Sequence, residues 1–512
     1  MSVLNLTDQP ISAHEADVLV LASAPSADGA DLAAGYDLPA EAASHLSGVL
    51  AALEAKGKVD EVITLALVPG IAARKVILSG IAPKKGAAEP TADSIRLAAG
   101  AGLRAAGKAG RVVLAFPAAG EDLLIASAEG AALGAYAFTT HKSVKDAAAQ
   151  PAPSGPQSAV EAIHLHVADA KDAAAQAALA RAAAVADATA YARDLVNTPP
   201  NLLYPQTFAE SVQEHIAAAG LPIEVIVHDE QQLTEMGCGG IIGVGQGSSR
   251  PPRIVELHYA PSDATGRIAF VGKGITFDTG GVCIKPSASM LTMKCDMAGA
   301  AAVAGAVIAA AQRGLPAAVS GYLCLAENMP GGNAQRPSDI VTMRSGTTVE
   351  IIDTDAEGRM VLADGISLAA ESGADAIVDV ATLTGACMIA LGMRVAGVMS
   401  NDDGFRERVL AAAGSAGEPM WPLPLPEDLR NKLDSGVADL QHKGDQYGGA
   451  LTAGLFLREF AQDAEGTAIP WAHLDIAGPA YLTEPPFGHV VKGGTGFAVA
   501  TLVDLAAGWG EQ

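Results

Sequence analysis

The sequence predicts a two-domain α/β protein: a smaller N-terminal domain and a larger C-terminal one with a mixed, mainly parallel sheet flanked by helices, joined by a long helix. Three observations predict it. The chain has 512 residues, 50% of them hydrophobic, with mean hydropathy +0.27, ample for a large core and too long for one ordinary domain. Short apolar runs alternate with Ala-rich stretches, the rhythm of strands interleaved with helices. One stretch, "DAKDAAAQAALARAAAVADATAYARDL" from Asp169 to Leu195, consists of strong helix formers with neither Gly nor Pro.

The elements follow in order. Residues 1–168 form the N-terminal α/β domain, with "ADVLVLAS", "ARKVILSGI" and "GRVVLAFPAA" as strands and the Pro- and Ser-rich "KDAAAQPAPSGPQSA" as a surface loop. Residues 169–198 are the connecting helix, which ends at "VNTPPNLLYP" because Pro199 and Pro200 cannot continue it. Residues 199–512 are the C-terminal domain. There "RIAFVGKG", "AAVSGYLCLAEN", "TTVEIIDTD", "ADAIVDVATLTG" and "VAGVMS" read as buried strands of a doubly wound sheet. Ligand sites in such sheets gather beyond the C-terminal strand ends. The charged residues singled out below are each expected at one. "GVGQGSS" lacks the G-x-G-x-x-G spacing and reads as a glycine turn, and "HLH" at His164–His166 reads as a surface strand. No tandem repeat of fixed period occurs, which excludes a solenoid.

Composition narrows the function classes. The first residues, "MSVLNLTDQP", have no basic start followed by an apolar run, and the apolar stretch Met297 to Ala311 is too short to span a bilayer, so a cytoplasmic protein with no membrane partner is expected. Five cysteines, an odd number without C-x-x-C spacing, suit reduced thiols. A formal net charge of -24 repels phosphate backbones, so nucleic acid is not an expected partner.

Against only 18% charged residues, "DTDAEGRM" places Asp353, Asp355, Glu357 and Arg359 at alternate positions. Extended, the four share one face; broken into a loop, Asp355 and Glu357 remain neighbours. Partly buried carboxylates do not stay ionised cheaply without counter-charge, and Arg359 alone does not balance three. A divalent cation would. The alternative is a solvated turn, with Arg359 an ordinary residue at the start of the helix "GRMVLADGISLAA". A second motif, "VGKGITFDTGGVCIKP", delivers Lys273, Asp278 and Lys285 from a buried strand. A buried ammonium is costly unless paired, deprotonated or coordinated. Downstream, "MKCDMAGAAAVAGAV" reads as a small-residue helix with Asp296 as its N-cap.

"VGKGITFDTGG", "MKCDMAGAA" and "DTDAEGRM", in this order and spacing, with "RDLVNTPPN", "ATLTGA" and "WAHLDIAG", resemble the signature segments of the leucyl aminopeptidase (cytosol aminopeptidase) family over about residues 190 to 505. The N-terminal third resembles it weakly. The resemblance implies two divalent ions, Mn or Zn, with Mg or Co as further candidates. It implies that Asp278 and Glu357 bridge both, that Asp355 adds to one, and that a neutral Lys273 and Asp296 complete the other. It further implies hydroxide held between the metals as the nucleophile, Lys285 at the oxyanion, and a bicarbonate held by Arg359 as general base. The side-chain pocket corresponds to Met293, Thr382, Gly385 and Ala477, an apolar hollow for a leucine-like first residue of peptide substrates, or else plain core. A homohexamer, a dimer of trimers, is implied as well.

Asp353 stands where the family usually has Asn, Thr279 where it has Ser, and Met360 where it has Leu. None of the three is an implied ligand, so the reaction class survives. Another two-metal hydrolase, such as a phosphoesterase, is the second reading, against which the lysine ligand and the anion-holding arginine argue. A non-catalytic DNA-binding regulator is the third, and the acidic balance opposes it. H-E-x-x-H, G-x-S-x-G and the Walker lysine motif do not occur.

Overall fold

The structure, a computed structural model, describes residues 2–83, 89–117, 120–142, 157–158 and 160–510. Two compact units emerge: Met1–Ala190 with Leu482–Lys492, and Tyr191–Tyr481 with Gly493–Gln512.

The first unit runs β1 (Val3–Thr7), β2 (Val18–Ser26), β3 (Gly29–Leu32), α1 (Ala40–Ala52), β4 (Val62–Ala66), β5 (Lys75–Gly80), α2 (Ala92–Ala106), β6 (Ala109–Ala115), α3 (Glu121–Gly134), β7 (Tyr136–Ala137), β8 (Gln157–Ser158) and β9 (Val160–His166). Its main sheet has the order β1-β9-β6-β2-β5-β4, with β3 paired to β2. The run "VLVLA" explains why both faces are covered. Val18, Val20 and Ala22 pack into one core beneath α2 and α3, while Leu19 and Leu21 pack into another with Leu46 and Leu50 of α1. The three strands expected from the sequence are β2, β5 and β6. The "HLH" strand differs: β9 lies inside the sheet, between β1 and β6, because β1 pairs along its whole length, so His164 and His166 are half-buried. The predicted loop from Lys145 to Ala159 lies outside the described residues except Gln157 and Ser158, which pair with β7.

A late piece of the chain completes this unit. Gly488 donates its N–H to Asp60 Oδ1 at 2.7 Å and accepts from Arg104 Nε at 2.7 Å. Against Gly100 the fit is so close that a Cβ there would lie 2.4 Å from the His489 Cα.

The predicted connecting helix is α4 (Ala173–Asn197), in which the division between the units falls. The second unit continues with α5 (Pro205–Ala219), β10 (Glu224–His228), α6 (Glu230–Glu235), α7 (Gly239–Gly245), β11 (Arg253–Tyr259), β12 (Arg267–Asp278), α8 (Ser287–Met290), α9 (Ala298–Arg313), β13 (Ala318–Asn328), β14 (Ile340–Thr342) and β15 (Thr348–Glu350). It closes with α10 (Gly358–Glu371), β16 (Ala376–Ala381), α11 (Gly385–Leu391), β17 (Ala396–Ser400), α12 (Asp403–Ala416), β18 (Met420–Pro422), β19 (Leu440–Gln441), α13 (Gly449–Arg458), β20 (Trp471–Asp475) and α14 (Val499–Ala507). The large sheet has the order β10-β11-β13-β12-β16-β20-β17-β18, parallel through β13, β12, β16 and β20. Those four strands end side by side, which sets the floor of the site.

Small residues fix α9 on this sheet. A Cβ at Gly299 would lie 2.0 Å from the Val380 carbonyl oxygen, and one at Gly272 2.5 Å from the Ala300 Cα. The stretch Met293–Arg313, apolar and long enough by composition to cross a membrane, is a 3-10 turn followed by α9 and is buried inside the unit. On the opposite face Val271, Met360, Ile366 and Phe456 join the main core.

Three local readings are corrected. Asp296 does not cap α9: the cap position falls on Met297, and Asp296 follows the 3-10 turn Met293–Cys295 with its carboxylate turned to a buried ammonium, a stronger partner than a helix end. "TTVEIIDTD" is not a strand of the main sheet. Only Thr348–Glu350 is extended, in a separate sheet of order β14-β15-β19, because the Asp353 side chain accepts the Asp355 N–H at 3.0 Å and turns the chain. Finally, Gly243 to Gly245 of "GVGQGSS" close α7 before the turn begins.

Candidate active site

β12 delivers the first lysine. Lys273 is 3% exposed, and its Nζ lies 2.9 Å from Asp296 Oδ1, 2.8 Å from Glu357 Oε1 and 3.0 Å from the Thr382 carbonyl oxygen, to which it donates. Asp296 arrives there because the start of α9 abuts β12 at Gly272. Burial pulls the Lys273 ammonium down, but Asp296, Glu357 and Asp278 together outweigh it and hold it above the ordinary lysine value.

At the end of the same strand Asp278 accepts from the Gly280 N–H and from Asn328 Nδ2, both at 2.8 Å. The chain then reverses through Gly280 at φ +86°, where a Cβ would lie 2.8 Å from Asp355 Oδ1. This turn brings Lys285 back over the strand end, its Nζ 2.7 Å from Asp278 Oδ2 and 2.6 Å from Asp355 Oδ1. Burial lowers the Lys285 ammonium, and Asp278 with Glu357 raises it further than burial lowers it.

Of the stretch that carries Asp353 to Arg359, the loop form is the one observed. Asp278, Asp355 and Glu357 present oxygens that all lie within 4.8 Å of one another. Glu357 precedes α10, and the following Gly358 leaves room for the Lys273 side chain. Arg359 is buried, donates Nη1 to the His442 carbonyl at 2.8 Å, and its Nε has no hydrogen-bond partner among the described residues. Burial lowers its guanidinium to about 10. The Asp353 carboxylate pairs with Lys443 and accepts the Asp355 N–H. Burial raises its carboxyl, while Lys443 and the Asp355 N–H bring it below the ordinary value.

The donor set fits divalent cations. Four carboxylates, those of Asp278, Asp296, Asp355 and Glu357, face two ammonium groups. Among the described residues the buried Asp296 Oδ2 has no hydrogen-bond partner, and burial pushes the Asp278, Asp296 and Asp355 carboxyls upward, with Glu357 adding to the first two. Hard oxygens with uncompensated charge are the chemistry such ions take.

The pocket residues divide. Thr382 is buried and polar in its role, donating Oγ1 to Asp296 Oδ1 at 2.7 Å. Met293 and Ala477 are half-buried, and Gly385, the first residue of α11, is exposed with nothing within 4 Å of an added Cβ. Reading along the sequence missed Asn328, which holds Asp278 and also donates to the Thr354 carbonyl at 2.9 Å. It also missed Thr354, whose hydroxyl donates to the Gly280 carbonyl at 2.6 Å, and His442 behind Arg359. A polar residue closing an apolar strand, as in "LCLAEN", was the one available signal for Asn328.

A mixed sheet that gathers lysines and carboxylates at its parallel strand ends defines the class: an α/β protein with a centre suited to metal ions. Comparison with known proteins makes this specific. Residues 190–503 match the cytosol aminopeptidase family, catalytic domain, and residues 18–145 match the cytosol aminopeptidase family, N-terminal domain. The probable cytosol aminopeptidase of Micrococcus luteus is 48% identical over 509 residues, 98% of each chain. That of Streptomyces griseus is 47% identical over 516 residues, 99% of this chain and 98% of its own. The solved structure of the bottromycin maturation enzyme BotP in complex with Mn superposes with a TM-score of 0.81 at 38% identity, over 96% of this chain and 99% of that one. A mutant of tomato leucine aminopeptidase gives 0.84 at 30% identity, over 99% and 96%. The chain belongs to the cytosol aminopeptidase family and is a peptidase, a hydrolase acting on peptides. The likeness reaches into the N-terminal third, beyond the stretch the signature segments cover.

Proposed function

We propose that the chain is a dinuclear-metal aminopeptidase that removes leucine-like N-terminal residues from peptides. The observation that carries this reading is the convergence of Lys273, Asp278, Asp296, Asp355 and Glu357 from three separate segments onto one strand-end site. Asp278, Asp355 and Glu357, with Asp296 and a Lys273 whose proton a neighbouring dication would displace, would hold the two ions. Two divalent cations, when bound, supply Lewis acidity that polarises the scissile carbonyl, lowers the pKa of water and seats the substrate amine. Mn in the BotP structure supports Mn, with Zn, Mg and Co as the other candidates.

The chain's own groups do the rest. Lys285, its side chain 16% exposed at the mouth of the cluster, keeps its proton and donates to the developing oxyanion. Arg359 keeps a guanidinium nitrogen uncommitted at the start of α10, which would hold a bicarbonate, and that anion would supply a general base. Met293, Thr382, Gly385 and Ala477 border the hollow for the first side chain. Hexamer assembly, a cytoplasmic location and peptide substrates complete the reading, supported by the names of the relatives only as far as aminopeptidase and cytosol.

The test is hydrolysis of leucine anilide after chelation, with readdition of Mn, Zn and Mg, beside a phosphate ester and the variant Glu357→Ala. Activity restored by metal in the parent alone is expected. Chelator-resistant cleavage, or preference for the phosphate ester, contradicts the reading. Light scattering checks the hexamer.

A further inference from the structure

Asp475 is outside the proposed metal set, yet it is wholly buried beside it. As the last residue of β20 it accepts, through Oδ1, the N–H groups of Leu383 at 3.2 Å, Thr384 at 3.4 Å and Ala477 at 3.2 Å. Its Oδ2 accepts from Thr384 Oγ1 at 2.7 Å, and that oxygen accepts the Cys387 N–H at 3.0 Å, capping α11. One carboxylate thus holds both loops that leave the adjacent ends of β16 and β20.

What those loops carry gives the contact its consequence. The loop after β16 begins at Thr382, whose carbonyl receives the Lys273 ammonium and whose hydroxyl binds Asp296. It ends at Gly385, and the loop after β20 contains Ala477. Leu383, held by Asp475, is the next residue after Thr382, so a shift of its peptide displaces the Thr382 carbonyl directly. A buried carboxyl group whose hydrogen bonds go to backbone N–H groups and one hydroxyl orders all of them, since each one lost leaves a buried polar group unsatisfied.

We infer that Asp475 is a positioning residue that sets, through the loops after β16 and β20, both the Lys273–Asp296 half of the centre and the spacing of the pocket walls at Gly385 and Ala477. The inference rests on the dinuclear reading. It assigns one carboxyl group to metal seating and to side-chain selection together, so the two should change together.

Asp475→Ala removes every acceptor, whereas Asp475→Asn keeps one oxygen for the N–H groups. For Asp475→Ala, kcat/KM on leucine anilide is expected to fall about 100-fold. The ratio of leucine to alanine anilide kcat/KM should fall about tenfold, and one of two Mn2+ binding events in calorimetry should weaken about tenfold. Asp475→Asn should regain most of each. A purely structural role would lower the melting temperature and leave the selectivity ratio and the Mn2+ isotherm of the folded enzyme at parental values, and that result overturns the inference. Should Asp475→Ala fail to fold, Thr384→Ala decides: both readouts moving in the same direction supports the inference, and parental values overturn it. A parent that neither binds Mn2+ nor cleaves the anilide defeats the dinuclear reading instead, so the two failures are told apart.

Discussion

Alanine at Gly358 tests whether the Lys273 ammonium is as tightly seated as its contacts imply. The added Cβ would lie 2.6 Å from Lys273 Cε and 2.7 Å from both Cδ and Nζ. Ordinary carbon contacts need about 3.5–4.0 Å, so roughly 1 Å must be found. The lysine cannot supply it freely, because that movement breaks contacts of 2.8 to 3.0 Å to Glu357, Asp296 and the Thr382 carbonyl. Overpacking costs about 1–3 kcal/mol and breaking a buried ion pair about 3–5 kcal/mol, of which a partial shift incurs a fraction. Helix propensity favours alanine by at most about 1 kcal/mol. The net expectation is a loss of about 1–4 kcal/mol, with kcat/KM on leucine anilide down about 100-fold. Gly414→Ala in α12 is the control, exposed and with nothing within 4 Å of the new atom; it should gain up to about 1 kcal/mol. Urea denaturation and steady-state kinetics give both numbers. A Gly358→Ala enzyme that is as stable as the parent and within threefold of its activity would refute the reasoning.

Three further outcomes are expected. Lys285→Met should lower kcat about 100- to 1,000-fold with KM nearly unchanged, and a change confined to KM in steady-state assays would contradict the oxyanion role. Asp364, fully buried and bonded to the Ile241 and Arg344 N–H groups at 2.9 Å, has its carboxyl pushed up to about 7 by burial. The folded state then holds this proton more tightly than the unfolded chain. Stability is fully present below about pH 4 and is lost as pH rises through about 7, by at most about 4 kcal/mol. In Asp364→Asn that slope should flatten between these limits in urea titrations, and an unchanged slope counts against it. Asp353→Asn keeps the turn to Asp355 but loses the Lys443 pair, which is partly exposed, so stability should change by less than about 1 kcal/mol. Removing a charge beside the cluster should weaken Mn2+ binding in calorimetry by about three- to tenfold, and equal or tighter binding would argue against that.

The sequence made the charged half of the site legible because the carboxylates and lysines come in short runs where local spacing alone is suggestive. Strands β2, β5, β6, β12, β13, β16 and β17 were legible for a similar reason, since continuous apolar runs bounded by Gly or charge leave few other readings. What holds the charges was not. Asn328 reaches Asp278 across 50 residues, His442 reaches Arg359 across 83, and Asp475 reaches Leu383 across 92, and nothing local marks a contact that only strand order creates. Asp296 was misread as a cap because Asp before a helix is common; the deciding competitor, Lys273, lies on another element. The loop form of the Asp353 stretch was one of two readings left open, since alternation of charge resembles a strand until a side chain captures a backbone N–H.

The segment Leu482–Lys492 has a consequence for synthesis. A ribosome delivers residues 1–190 of the N-terminal unit first, and the partners that Gly488 provides to Asp60 and Arg104 follow 428 and 384 residues later. Until then the nascent unit waits with that seam open. A fragment ending at Ala190 would keep it open permanently, and the arrival of Leu482–Lys492 is the step that seals it.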